Sequence, residues 1–213
     1  MPRPRGTSGA DTADAIRAAG VRLLFARGYH AVSMRDLAAE VGIQAPSLYN
    51  HVRTKQDLLV DVLERNLTDM LAEGSAALEG IADPRDRLAA FVDFHLSFHT
   101  RRREEALICT SELRSLEPAN YTRIVGFRRR YESLVEDILN AGVKAGVFRI
   151  GDVRIATFVL LSMLTGAATW FRPGGRLTRA QLVAEYTRLA LHGLEGAPPK
   201  ASKRARTRSS RSD

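Results

Sequence analysis

Between Ser33 and Lys55 the segment SMRDLAAEVGIQAPSLYNHVRTK sets polar side chains at spacings suited to hydrogen bonding outward. Gln44, Ala45, Ser47, Tyr49, Asn50 and His51 are hydrogen-bonding or small, and the one aromatic among them carries a hydroxyl at its tip. Leu37, Val41, Ile43, Leu48 and Val52 interleave with them as an inward set. An outward face of this kind suits a polar groove, and a helix fits a major groove about 12 Å wide. Farther on, His95 and His99 stand four apart, which on a helix presents two imidazoles together. Without a nearby cysteine or close carboxylate pair they read as pocket-lining or packing residues, and no metal is expected. Cys109, the only cysteine, is either a redox thiol or a small buried hydrophobe. No GxSxG turn, GxxxxGK[ST] loop, HExxH or GxGxxG occurs, so no catalytic residue and no cofactor is nominated.

Helical periodicity runs through the chain, and no alternating stretch is long enough for a sheet, so the fold class is all-α. A first helix over 11–27 lines Ile16, Gly20, Val21 and Leu24 on one face, with Gly28 as its stop. Ser33 with Asp36 three residues on predicts a capping box opening a helix from Met34 to Val41, ended by Gly42. Pro46 marks the first turn of a third helix over 45–51. Thr54 with Asp57 caps a fourth that runs towards Gly74. Breakers at Asp83-Pro84, Glu117-Pro118, Gly146 to Gly151 and Pro173-Gly174-Gly175 delimit helices over 85–101, 103–115, 119–145, 152–171 and 178–194, about nine in all. In the longest, Tyr121, Ile124, Val125, Tyr131, Leu134, Val135, Ile138 and Leu139 form a single stripe.

Capping, turn glycine, small contact residues Ala38 and Ala39, and a cationic cap at Lys55 coincide here, where an ordinary helical hairpin requires none of them together. The run from Ile16 to Leu59 resembles the DNA-binding domain of the TetR family of bacterial transcriptional regulators. That resemblance implies that Ser33 caps the second helix and touches a phosphate, and that Gln44, Ser47 and Asn50 read base edges. Tyr49, His51 and Lys55 match positions that hold the DNA backbone; Met34, Arg35 and Ala45 complete the DNA-facing set. The sequence departs from the family pattern at Gln44 and Pro46, which bears on operator sequence, and at Leu24-Phe25 and Val52, which bears on packing.

The resemblance divides the chain into a basic, disordered arm (1–10), a helix-turn-helix domain (11–55), an effector-binding and dimerisation domain (56–196) and a basic, disordered tail (197–213). It also implies a homodimer through the helices at 152–171 and 178–194, because two recognition helices must meet successive major-groove faces about 34 Å apart. The segment Trp170-Phe171-Arg172-Pro173-Gly174-Gly175 resembles a junction in the branch that senses acyl-coenzyme A thioesters. On that reading arginines hold phosphates and Trp170 stacks adenine; the alternative is that Trp170 packs the dimer seam and the arginine runs are solvated. The candidate effector contacts are His95, His99, Glu112, Tyr121, Tyr131, Trp170 and Arg172.

Charge agrees with a specific binder more than a general one. The chain has 213 residues and a net charge of +8, of which its first ten and last seventeen residues hold +7. The body is left at +1, which disfavours a non-specific nucleoid protein. The tail either adds sequence-independent DNA affinity or only solubilises. Residues 155–171 are uncharged but shorter than the roughly 20 residues that cross a bilayer, which points to a buried interface helix rather than a membrane partner. One cysteine and no apolar leader predict a reducing, cytoplasmic compartment. The implied function is a ligand-released repressor of double-stranded operator DNA; an activator, or a small-molecule carrier or enzyme with a vestigial helix-turn-helix, are the alternatives.

Overall fold

Caps and turn glycines divide the chain where local chemistry requires. The computed structural model describes residues 9–195, and these form nine α-helices with no strand. They are α1 (Gly9–Arg27), α2 (Met34–Val41), α3 (Ala45–Tyr49), α4 (Lys55–Ala77), α5 (Pro84–Arg101), α6 (Arg103–Ser111), α7 (Pro118–Lys144), α8 (Val153–Trp170) and α9 (Arg179–Glu195). The first helix takes two residues from the expected arm. The rest of that arm and the tail at 197–213 lie outside the described residues.

Ser33 Oγ accepts from the Asp36 amide at 3.2 Å while Asp36 Oδ2 accepts from the Ser33 amide at 2.8 Å, which satisfies two orphan donors at the start of α2. Gly42 ends α2 at φ 76°, a left-handed conformation that lets the Ile43 amide return to the Ala38 carbonyl at 3.0 Å. Thr54 and Asp57 repeat the reciprocal cap at α4, both bonds being 3.0 Å.

Three boundaries differ from the sequence expectation. The third helix stops at Tyr49 rather than His51, and Asn50 and His51 close a turn instead, with the His51 amide bonded to the Leu48 carbonyl at 2.9 Å. Gly74 does not end α4; it lies buried inside it, where a Cβ would come within 2.9 Å of the Phe94 ring, so it is a close-approach point for α5. The helix expected over 103–115 breaks at Ser111 into a 3-10 turn, Glu112–Ser115, which leaves the Ser115 carbonyl to accept from Gln56 Nε2 at 2.7 Å.

Two hydrophobic clusters result. The smaller one joins Ile16, Ala19 and Leu23 of α1, Val32, Leu37 and Ala38, Leu48 of α3 and Leu58 of α4. The larger one holds Val21, Leu24 and Tyr29 together with Leu59, Val62, Leu63 and Leu67 of α4 and the inner faces of α5, α7, α8 and α9. Both α1 and α4 therefore belong to both clusters. Their crossing is tight, since a Cβ on Gly20 would lie 2.8 Å from Leu58 Cδ1. Helix α5 is the innermost, touching α4, α6, α7, α8 and α9, so its side chains at 91, 95, 98 and 99 are fully enclosed.

Helix α8 is only partly buried within the chain. Thr157, Leu160, Leu164, Ala167 and Ala168 face inward, whereas Ile155 and Val159 are each 62% exposed and Phe158 42%. Among the described residues it is the one helix long and apolar enough by length and composition to cross a membrane.

Candidate nucleic-acid interface and internal cavity

Leu48 is completely buried, and this single anchor orients α3. Gln44, Pro46, Ser47, Tyr49, Asn50 and His51 are thereby exposed, with Ser33 and Arg35 exposed at the start of α2 and Met34 and Ala45 half-buried beside them. Tyr49 is 49% exposed, so its phenol projects rather than packs. The exposed side chains of Ser33, Arg35, Gln44, Ser47, Tyr49, Asn50 and His51 thus offer hydroxyls, amides, a guanidinium and an imidazole to solvent.

Lys55 is half-buried, and its Nζ donates to the Tyr29 carbonyl at 2.9 Å while lying 4.3 Å from the Tyr29 ring centroid. The ammonium has further N–H donors to offer. Arg53, exposed in the turn between α3 and α4, is a further cation that sequence reasoning missed. Its signal was the turn before a capped helix, which places any cation next to a positive helix end. The neighbouring acids are engaged: Asp36 in its cap and 3.9 Å from Arg27, Glu40 with Arg22 at 2.9 Å. The Ser33 bonds hold the Asp36 carboxyl below its ordinary range.

Behind this unit lies a partly open cavity in two parts. The inner chamber has about 80 Å³ of free volume, walled by Leu63, Asn66, Leu67 and Met70 of α4, His95 and His99 of α5, Cys109 of α6, Tyr131 of α7 and Thr165 of α8. An outer chamber of about 340 Å³ reaches Phe158, Ser162 and Thr169, and the two share Ala106, Thr110, Arg128, Glu132, Leu161 and Thr165 as a common wall.

The two histidines stack, with ring centroids 4.2 Å apart and planes 13° from parallel. His95 Nδ1 lies 2.9 Å from Tyr131 Oη and its Nε2 3.2 Å from Thr165 Oγ1. His99 has a partner on neither nitrogen. Burial holds both below the ordinary imidazole range, His99 at about 4, so both are neutral at pH 7. Burial also pushes the Cys109 thiol up to about 12, and its sulfur accepts from Asn66 Nδ2 at 3.3 Å. The histidines and the thiol of the inner wall are therefore uncharged at pH 7, and Arg128 and Glu132, on the wall shared with the outer chamber, are its charged members.

Of the expected effector contacts, His95, His99 and Tyr131 come together in this cavity. Four do not. Glu112 borders a surface hollow between α1 and α6, and Tyr121, although in the sequence stripe, is 46% exposed beside Arg114. Trp170 stacks on Tyr186 of α9, with centroids 6.5 Å apart, and Arg172 donates to its own loop at Thr169 and Phe171, both 3.0 Å. Most of the arginine runs are occupied elsewhere. Arg101 and Arg102 each bind an acid on α4, Glu73 and Asp69, at 2.6 Å, and Arg103 donates to the Ala168 carbonyl at 2.9 Å. Asn66 was missed, though a polar residue on the apolar stripe of α4 was its signal. Among the described residues no three His, Cys, Asp or Glu side chains are placed to hold a metal ion.

Residues 16–62 match the family model described as "Bacterial regulatory proteins, tetR family", and residues 81–194 match "Tetracyclin repressor-like, C-terminal domain". The chain is 30% identical over 174 residues to the HTH-type transcriptional repressor KstR2 of Rhodococcus jostii, covering 80% of this chain and 85% of that protein. A bacterial regulatory protein in the tetR family from Rhodococcus RHA1 superposes with a TM-score of 0.83 at 30% identity, over 90% of this chain and 100% of the other. AibR, in its complex with isovaleryl coenzyme A and operator DNA, gives a TM-score of 0.78 at 26% identity, over 84% of this chain and 97% of the other. With both halves matched and the helix-turn-helix ridge joined to a ligand-sized cavity, the chain belongs to the TetR family of transcriptional regulators.

Proposed function

We propose that this chain is a homodimeric, cytoplasmic repressor that binds a palindromic operator and is released by a small hydrophobic effector carried as a coenzyme A thioester. The observation that carries the reading is the continuity of α4. Its first turn holds Lys55 and Gln56 beside the DNA-facing ridge, and its middle supplies Leu63, Asn66, Leu67 and Met70 to the cavity wall. At 1.5 Å per residue the 23-residue helix spans about 35 Å, so a tilt at the cavity moves the ridge. To weaken operator binding a hundredfold the effector must prefer the released conformation by about 2.8 kcal/mol.

The proposed division is 11–55 for DNA and 56–196 for effector and partner, with α1 and α4 contributing side chains to both hydrophobic clusters. Ser33, Arg35, Tyr49, His51 and Lys55 hold the phosphate backbone; Gln44, Ser47 and Asn50 read bases. In the dimer the apolar side of α8 and α9, Ile155, Phe158, Val159 and Leu189, is covered by the same side of a second copy. A groove of about 560 Å³ between these helices, lined by Ile155, Val159, Met163 and Leu189, supports that use and accounts for the exposed face without a membrane. Acyl thioesters suit the cavity because the inner chamber offers a largely apolar wall for the acyl part while Arg128, on the wall shared with the outer chamber, is a cation for the anionic part.

The test titrates purified protein against its own upstream intergenic DNA and against random duplex at physiological salt, with and without short acyl-coenzyme A thioesters. Preferential binding to one fragment, weakened by a thioester, is expected. No preference over random sequence would overturn the repressor reading, and no thioester effect on binding or melting temperature would remove the effector class.

A further inference from the structure

The polar groups of the inner chamber are unequally satisfied. His95 is held at both ring nitrogens, by Tyr131 and by Thr165. Asn66 uses one end of its amide on the Cys109 sulfur, and the other end, Oδ1, has no partner. His99, stacked on His95, has none on either nitrogen. Both residues are deeply buried, Asn66 being 3% exposed and His99 5%. Buried imidazoles and amides lose water on folding and are seldom left unpaired unless another group completes them. Two such residues on adjacent helices line one chamber together, so a single bound group could complete both.

The geometry points to an effector whose buried end carries a hydroxyl, recognised by His99 and Asn66. This rests on the effector reading above and specifies it further. A neutral imidazole offers one donor and one acceptor, and Asn66 Oδ1 offers an acceptor. A hydroxyl is the smallest group that donates to one and accepts from the other. A plain alkyl end would leave all three polar atoms unpaired, which is the circumstance under which a site discriminates strongly against an analogue lacking a hydroxyl. A free carboxylate in the same place would lose water among His95, His99, Tyr131 and Cys109, with Glu132 lining the same chamber beside Arg128 and opposing a second anion.

The experiment compares binding of paired thioesters by calorimetry on the full-length protein. Butyryl- and hexanoyl-coenzyme A are set against their 2-hydroxy, 3-hydroxy and terminal-hydroxy counterparts, with His99→Phe and Asn66→Leu measured alongside the wild type and each variant's melting temperature recorded. At least one hydroxylated thioester is expected to bind the wild type ten times or more tightly than its plain partner, and each variant is expected to lose most of that preference while still binding the plain one. Equal binding, or tighter binding of the plain thioesters, by the wild type would overturn the hydroxyl inference and leave the effector reading standing. Failure of every thioester to bind would overturn both. An undiminished preference in both folded variants would overturn the assignment to His99 and Asn66, and if either variant fails to fold, the wild-type comparison still decides.

Discussion

The side-chain amide of Gln56 donates to the hydroxyl of Tyr29 at 2.9 Å, joining the first turn of α4 to the loop that leads into α2. The same amide donates to the Ser115 carbonyl at 2.7 Å, and its oxygen accepts from the Glu117 amide at 3.3 Å and from Asn120 at 3.2 Å. One buried carboxamide thus ties the DNA-facing unit to the start of α7, the helix that carries Arg128 and Tyr131 into the cavity. Replacing Gln56 with Leu keeps the bulk and strands four partners. A loss of about 2 to 4 kcal/mol is expected in urea unfolding, since stranded buried groups each cost about 1 to 3 kcal/mol and some recover water. Operator affinity should fall, and thioester binding should change little; an unchanged unfolding midpoint would show the junction to be unimportant.

Phosphate and base contacts separate by salt dependence. Each phosphate contact contributes about 0.9 to the slope of log affinity against log salt. Arg53→Ala and Lys55→Met should therefore each flatten the slope by about one and weaken all sequences alike. Ser47→Ala or Asn50→Ala should keep the slope and lose about 1 to 3 kcal/mol of discrimination at one base pair. Anisotropy titrations at three salt concentrations, on operator and random duplex, distinguish the two patterns.

His99 ties stability to pH. Its pKa falls from 6.5 in the unfolded chain to about 4 in the fold, so the unfolded state binds more protons between those values. Its neutral form is fully stabilising above pH 6.5, and stability is lost as pH falls towards 4, by about 3 kcal/mol at 1.36 kcal/mol per unit. His95, also lowered, continues the loss in the same direction. The titratable groups around the site are His95 on α5, Cys109 on α6, and Arg128, Tyr131 and Glu132 on α7; α4 and α8 present only Asn66 and Thr165 as polar groups. Melting temperature measured from pH 7.5 to 4.5 should drop more steeply for the wild type than for His99→Phe; parallel curves would refute the assignment.

Cys109 should be inert. With its thiol pushed up to about 12, the thiolate is scarce at pH 8 and the sulfur faces the cavity. Labelling by a disulfide reagent is expected to be slower than for a free thiol by about three orders of magnitude, which is what a rise in pKa from 9.0 to about 12 removes in thiolate. Urea should restore the rate. Fast labelling of the folded protein would reopen the redox reading.

Gly142 is expected to tolerate no side chain, because a Cβ there would collide with the ring of Phe148, itself 2% exposed. Gly142→Ala should cost about 1 to 3 kcal/mol in unfolding free energy, as overpacking does. Gly126→Ala, on the same helix with open space around it, is the control and should be neutral or slightly stabilising.

The sequence alone determined whatever depends on residues within about four positions of one another. The Ser33 and Thr54 boxes, the left-handed Gly42 and Pro46 in the first turn of α3 are all local, so the helix-turn-helix and the nine-helix order could be read directly. The spacing of His95 and His99 likewise showed that two imidazoles share a face. Only the tertiary structure decided what that face meets, because His95 finds Tyr131 36 residues away and Thr165 70 residues away, and no periodicity carries that information. The same limit explains Tyr121, Glu112, Trp170 and Arg172, which have suitable side chains on helices or loops turned elsewhere. Asn66 shows the converse: its helix and stripe were legible, but its unmet oxygen became meaningful only when packing α4 against α5 enclosed it with His99.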